Sequence, residues 1–359
     1  MSRTMMPMRQ LAGAVQRNCD ISDARFAGDY GLCSFLLKMR EYYRWENDLP
    51  FERVLPRDRL GEWLKAREQT WDRIETEPFV PLQLHMGEVD PFDGEAVNRE
   101  LLPLGHVYSA GIGRFGKPVF FLGQLLRVES REDLTILVSS SEFARELAAP
   151  PAMLQGQTIF VRQESVRRAL WEKIEEWRWR KQDNAMARAL RCYGFDDDGE
   201  AALRRMVEDE TQTMILHELG EAQAGALIGA AWPAVALSAA RTRSEPFVRA
   251  VRDLLADCLS TLPALVGQAN LPALHLHFAN FDAPRRQLFP QALQAYEHFL
   301  RDGSLAHLLQ VAHDGRQRWL AAAQRLLAPD PAGRDAAIDA LLEKAGERPA
   351  GQAGAAATV

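Results

Sequence analysis

The run Leu216-His217-Glu218-Leu219-Gly220-Glu221 carries the clearest chemistry in the chain. His217 and Glu221 stand four residues apart, so in a helix they project from one face and can grip one ion. Glu218 lies about 100° round the helix, close enough to hold a metal-bound water as a general base. This is the logic of the His-Glu-x-x-His zinc helix with its second histidine replaced by glutamate. A carboxylate there shifts the preference toward harder ions, so iron and manganese compete with zinc as the divalent cofactor. The missing histidine also argues against a peptidase. Glu210, seven residues before His217, continues the same stripe.

A second segment answers the first. Asp253 and Asp257 are four apart among apolar neighbours, and a carboxylate buried there needs a cation or a full set of donors. Glu245 begins the same segment, 28 residues after His217, a place where a third ligand is often supplied. The pattern predicts a mononuclear or dinuclear site with His217, Glu221, Asp253, Asp257 and Glu245 as ligands and Glu218 as the catalytic base. The competing reading is a polar network without metal, in which His217 is a hydrogen-bonded core histidine and Arg249 or Arg252 neutralises Glu221.

Other motifs read more plainly. Gly111, Gly113 and Gly116 match Gly-x-Gly-x-x-Gly, but Lys117-Pro118 and a strand follow, so no helix N-terminus is there to hold a pyrophosphate. Residues 38–46, Lys-Met-Arg-Glu-Tyr-Tyr-Arg-Trp-Glu, offer Glu41 as a further ligand or Arg40 and Arg44 as an anion clamp. Charge pairs over an aromatic core explain them equally. Trp171, Trp177 and Trp179 stand among Glu172, Glu175 and Glu176, which would repel phosphate, so they read as packing. His275 and His277 share a face if their segment is extended.

These residues need helices to hold them. The 359 residues are 47% hydrophobic and 26% charged, with four cysteines and a formal charge of −6. That is globular composition, and the charge argues against a nucleic-acid or anionic-membrane surface. Cys19, Cys33, Cys192 and Cys258 form no Cys-x-x-Cys pair and read as reduced thiols of a cytoplasmic protein. Residues 222–240 carry no charge, yet they are mostly Ala and Gly and are broken at Pro233, so a buried interrupted helix is expected there rather than a membrane span.

The expected fold is mainly α: a helical bundle with a small antiparallel β-meander inserted after an N-terminal helical hairpin. Residues 1–18 read as a flexible leader, 19–103 as the hairpin (helices over 22–45 and 57–77) and connector, 104–164 as the sheet, 165–345 as the bundle and 346–359 as a disordered tail. A helix over 244–262 stops at Pro263, and the strand over 158–161 is expected at an edge, where it could hold a substrate backbone.

Four stretches taken together resemble a family of uncharacterised bacterial proteins. They are residues 18–23 running to the Lys38–Glu46 segment, Pro151-Ala-Met-Leu154 with Val161-Arg162, the His217-to-Glu221 helix, and residues 253–263. The resemblance spans residues 18 to about 320 and implies one recurring architecture; it carries no activity or ligand. Function therefore rests on the residues: a cytoplasmic metal-dependent enzyme, hydrolytic or oxidative, acting on a small molecule or peptide, against a scaffold or partner-binding protein.

Overall fold

The computed structural model describes residues 8–113, 116–327 and 330–346, and the chain divides into two units, Met1–Trp179 and Arg180–Val359. In the first, helix α1 (Met8–Phe26) lays Leu11, Val15 and Cys19 against Tyr108, Phe120 and Leu122 of a sheet. The flexible leader expected over 1–18 is thereby corrected from Met8 onward; residues 1–7 lie outside the described residues. The stripe is short and interrupted by Arg9, Gln10, Gln16 and Arg17, which concealed it in the sequence. The single helix expected over 22–45 is two, α1 and α2 (Leu32–Glu46), parted by a 3₁₀ turn at Ala27–Asp29. Helix α3 (Arg57–Ile74) completes the hairpin, with Tyr42, Trp71 and Ile74 in one cluster.

A short hairpin, β1 (Leu82–Leu84) and β2 (Gly87–Val89), precedes α4 (Gly94–Leu101), which Asp93 caps by accepting from the Ala96 amide at 2.9 Å. The main sheet contains β3 (His106–Ile112), β4 (Pro118–Arg131), β5 (Leu134–Arg145), β6 (Ala152–Gln155) and β7 (Thr158–Arg162), in the order β3-β4-β5-β7-β6. The first three strands form the expected antiparallel meander, while β7 pairs parallel to β5 and antiparallel to β6. The strand over 158–161 is therefore interior, flanked on both sides, and cannot receive a peptide by augmentation. Of the three motif glycines Gly111 lies on β3, and the Gly113 amide donates to the Lys117 carbonyl at 2.7 Å just before β4.

This unit buries charge as well as carbon. Arg162 meets Glu142 at 2.8 Å and Glu146 at 3.3 Å, and Lys117 pairs with Asp23. Glu41 takes Arg40 at 2.7 Å and Arg44 at 3.3 Å, so the 38–46 segment is an ion-paired helix face. Helix α5 (Gln163–Arg180) begins beside Glu142, whose amide donates to Glu164 Oε2 at 2.6 Å. Trp171 is buried and stacks on Phe51 with centroids 5.5 Å apart, a packing role.

Burial and then the Glu142 charge push the Glu164 carboxyl up to about 7. A carboxyl whose folded value lies above its unfolded one destabilises the fold as pH rises between the two, here from about 4.5 to about 7. The Glu164→Gln chain keeps a carbonyl for the Glu142 amide. It should match wild type in urea unfolding at pH 4.5 and exceed it by about 2–3 kcal/mol at pH 8.

The second unit is helical: α6 (Ala185–Tyr193), α7 (Gly199–Ile228), α8 (Trp232–Ser238), α9 (Glu245–Ala256), α10 (Leu262–Gly267), α11 (Leu271–Ala279), α12 (Ala283–Leu288), α13 (Pro290–Asp302), α14 (Ala306–Leu326) and α15 (Pro331–Gly346). Its core joins Val251, Leu254, Leu274, Phe278, Phe289 and Trp319. The uncharged run at 222–240 splits between the end of α7 and α8, with Gly229 at φ +100° between them. No helix of the described residues is long and apolar enough to cross a membrane. His275 and His277 lie on α11, not on a strand, and so point to different sides of a helix. Of the tail expected over 346–359, Gly346 ends α15 and residues 347–359 lie outside the described residues.

Between α9 and α10 the helix does not stop at Pro263. It widens into a π turn, Asp257–Thr261, closed by the Leu262 amide donating to the Asp257 carbonyl. Proline inside a helix lacks its amide and crowds the carbonyl four residues back, and one wide turn absorbs both effects.

Candidate metal centre

Helices α7 and α9 run antiparallel in contact, because one helix carries a glycine where they meet. A Cβ built on Gly220 would sit 2.9 Å from the Ala256 carbonyl carbon and closer still to its oxygen, so only glycine admits this approach. The antiparallel pairing then sets the side chains turn against turn. His217 meets Asp257, and one turn along Glu221 meets the turn holding Arg252 and Asp253.

His217 Nδ1 lies 2.8 Å from Asp257 Oδ1, and its Nε2 lies 3.7 Å from Glu221 Oε1. One ligand atom each of His217, Glu221 and Asp253 lies within 4.8 Å of the others. Tetrahedral ligation at about 2.1 Å needs separations near 3.4 Å, a contraction that side-chain torsions can supply. All three residues are partly exposed, so an ion can reach them. Asp257 is buried and accepts from Arg285 Nη1 at 3.2 Å as well as facing His217. It is therefore the group that orients the imidazole, as carboxylates behind metal-bound histidines do.

The predicted ligand set is corrected in two places. Asp257 lies outside the His217, Glu221 and Asp253 cluster and is engaged by His217 and Arg285. Glu245 belongs elsewhere: its carboxylate accepts from the Arg249 side chain at 3.0 Å and from the Arg241 amide at 2.7 Å, fastening the start of α9. Glu210 accepts from Asn280 at 2.8 Å. Arg252 Nη2 stands 2.6 Å from Glu221 Oε1, the contact expected of a metal-free polar network.

Sequence reasoning missed Arg285 and read His277 only as one of a pair on an extended segment; α12 and α11 bring both up to Asp257. Nothing in the local pattern around Arg285 marks it; only the packing of α12 does. Gly220 was legible as part of the motif, and its smallness was the available signal that a second helix comes close.

The electrostatics follow from burial and these partners. Burial alone would lower the His217 imidazole, but Asp257 and Glu221 outweigh it and hold it well above its ordinary value. Burial would raise Glu221 and Asp257; Arg252 for the first and His217 for the second keep both carboxyls well below the usual range. Burial, then the Glu221 charge, push Glu218 up to about 8 and Asp253 up to about 6. Burial pushes His277 down to about 4, so this imidazole is neutral. Glu218 Oε2 is buried with no hydrogen-bond partner among the described residues.

Two family models cover the chain. Residues 10–162 match the N-terminal domain of a family of unknown function (DUF6866), and residues 167–347 match its C-terminal domain. No curated protein and no solved structure matches it.

Proposed function

The chain belongs to the DUF6866 family, and from the geometry of its C-terminal domain we propose that it is a metal-dependent enzyme of the hydrolytic class. His217, Glu221 and Asp253 would hold one divalent cation, with Asp257 fixing the imidazole and Glu218 serving as proton acceptor. The observation that carries this is the meeting of three ligand atoms within 4.8 Å beside an imidazole whose Nδ1 already has its carboxylate. A dication there would take the place of the proton that Asp257 and Glu221 hold on His217, and would draw Glu218 into its ionised form. One imidazole with two carboxylates suits zinc, manganese or ferrous iron. When bound, the cation would supply a Lewis acid and an acidified water. Glu218, on the adjacent residue in a water-poor setting, would take the proton from that water. Four cysteines are unpaired, two of them exposed, which supports a reducing compartment such as the cytoplasm.

Metal analysis of the purified full chain tests the proposal. Loading with Zn²⁺, Mn²⁺ or Fe²⁺ followed by exchange into metal-free buffer should leave about one ion per chain. His217→Ala should retain under a tenth of that, and Glu245→Gln should retain all of it. An ion content that His217→Ala leaves unchanged would return Glu221 and Arg252 to a purely structural pair. The second reading, a polar network that specifies helix packing, is favoured by that 2.6 Å contact and predicts no bound ion.

A further inference from the structure

Strand β4 is longer than its outer neighbour. Pairing with β3 ends at His106↔Gln124 and the Leu125 amide donates to the Gly105 carbonyl at 2.9 Å, so residues 126–131 have β5 on one side and, among the described residues, no strand on the other. The chain closes the outer edge of β3 explicitly: Asn98 Nδ2 donates to the Tyr108 carbonyl at 2.7 Å and its Oδ1 accepts from the Tyr108 amide at 2.9 Å. At the β4 extension it leaves apolar side chains in solvent instead, with Leu126 49% and Val128 54% exposed. Uncovered strand edges template pairing with another chain.

The phase of this edge can be derived. A two-residue turn, Glu132–Asp133, joins β4 to β5, which makes Arg131↔Leu134 the closing hydrogen-bonded pair. Main-chain groups then alternate: those of Arg131, Glu129 and Arg127 point toward β5, and those of Ser130 and Val128 point outward. Arg127 Nε meets Glu129 Oε1 at 2.8 Å and Arg131 Nη2 meets Glu129 Oε2 at 3.0 Å, which places these three charges along one face. On the other face Val128 stands opposite Leu137, and Leu137 opposite Phe160 of β7; these two are buried, so Val128 is the exposed end of an apolar row.

We propose that residues 126–130 pair with the same residues of a second copy of this chain, antiparallel, about a two-fold axis through Val128. Each Val128 then meets the other, joining the two Val128–Leu137–Phe160 rows into one. Arg127 of each copy stands opposite Glu129 of the other, twice over, and cross-strand opposite charges stabilise such pairs. Charge also selects the register. Moving the axis to Glu129 keeps the hydrogen-bonding phase but sets Glu129 against Glu129 and Arg127 against Arg131, which repel. The edge is self-complementary in its outward main-chain groups, its apolar row and its charge order, which is why the occupant is a second copy. The two five-stranded sheets become continuous, and the contact is isologous, as closed dimers require.

Sedimentation of the full chain over a concentration series tests this. Wild type should show a monomer–dimer equilibrium. Val128→Lys should weaken it at least tenfold, and so should Arg127→Glu. Combining Arg127→Glu with Glu129→Arg should restore dimerisation to within a few-fold of wild type, and circular dichroism should show every variant folded. Cross-linking reads the register directly, in a Cys33→Ser/Cys192→Ser background. Val128→Cys should give a disulfide dimer under mild oxidation, since directly paired Cα atoms lie about 5.5 Å apart. Ser130→Cys should not, because its two copies lie about 13 Å apart along the strands. A wild-type chain that stays monomeric at several hundred micromolar overturns the proposal. So does a dimer that neither Val128→Lys nor Arg127→Glu disturbs.

Discussion

Replacing Gly220 by alanine should destabilise the C-terminal domain by about 2–3 kcal/mol, lowering its melting temperature by roughly 6–10 °C. In an ordinary helix interior the same substitution stabilises, by about 0.5–1 kcal/mol, because alanine loses less backbone entropy and shields the helix. The sign reverses here because the new methyl would press on the Ala256 carbonyl group, which is backbone and cannot rotate away. Relief requires α7 and α9 to part. Gly225, on the same helix, provides the control: nothing lies within 4 Å of a Cβ built there, so Gly225→Ala should stabilise by about the ordinary amount. Thermal unfolding of both variants decides the matter. Equal effects at the two positions would mean that α7 and α9 do not depend on close approach. Because parting the helices also draws His217 from Asp257, Gly220→Ala should weaken cation binding although it touches no ligand.

Asp257→Asn should lower divalent-cation affinity by about 10–100-fold while every proposed ligand remains. An amide in place of the carboxylate can still accept from His217 Nδ1, but it supplies no charge to fix the tautomer or raise the basicity of Nε2. The metal-free chain should also lose about 3 kcal/mol, since Arg285 is left with less compensation for its burial; Asp282, 3.2 Å away, keeps the loss at the low end of the usual range. Isothermal titration with Zn²⁺ and urea unfolding of the metal-free protein report the two effects separately. Wild-type affinity in the Asp257→Asn chain would mean the imidazole is oriented by something else.

Helix spacing made the central pair legible. His217 with Glu221 and Asp253 with Asp257 each recur at four residues, and two such pairs on antiparallel helices must meet turn against turn. Which acid does what was not legible, because it depends on the rotation of α9 about its axis, and that is set by Gly220 and the π turn. Glu245 looked equivalent to the other acids by distance along the chain, yet it sits at the start of α9, where the Arg249 side chain and the Arg241 backbone amide claim it. In the N-terminal unit, Leu11 and Val15 lie among polar neighbours that mask their stripe, and the parallel pairing of β5 with β7 depends on β6 returning along the edge. Neither follows from local pattern. The mainly α architecture with an inserted sheet did follow, because prolines and β-branched runs confine strands to the middle of the N-terminal half.

The wide turn at Asp257–Thr261 has a bearing on chain length. Gly220 of α7 lies against Ala256 just before it, and Gly315 of α14 lies against the turn itself, where an added Cβ would strike the Cys258 sulfur. A π turn is an α-helix holding one surplus residue. Deleting any one residue from 257–261 would rewind the coil to regular pitch and turn Asp253 about 100° relative to α10. Among kindred sequences, a one-residue gap at this point would thus mark chains in which α9 presents another face to the imidazole, and in which the proposed cation would have no seat.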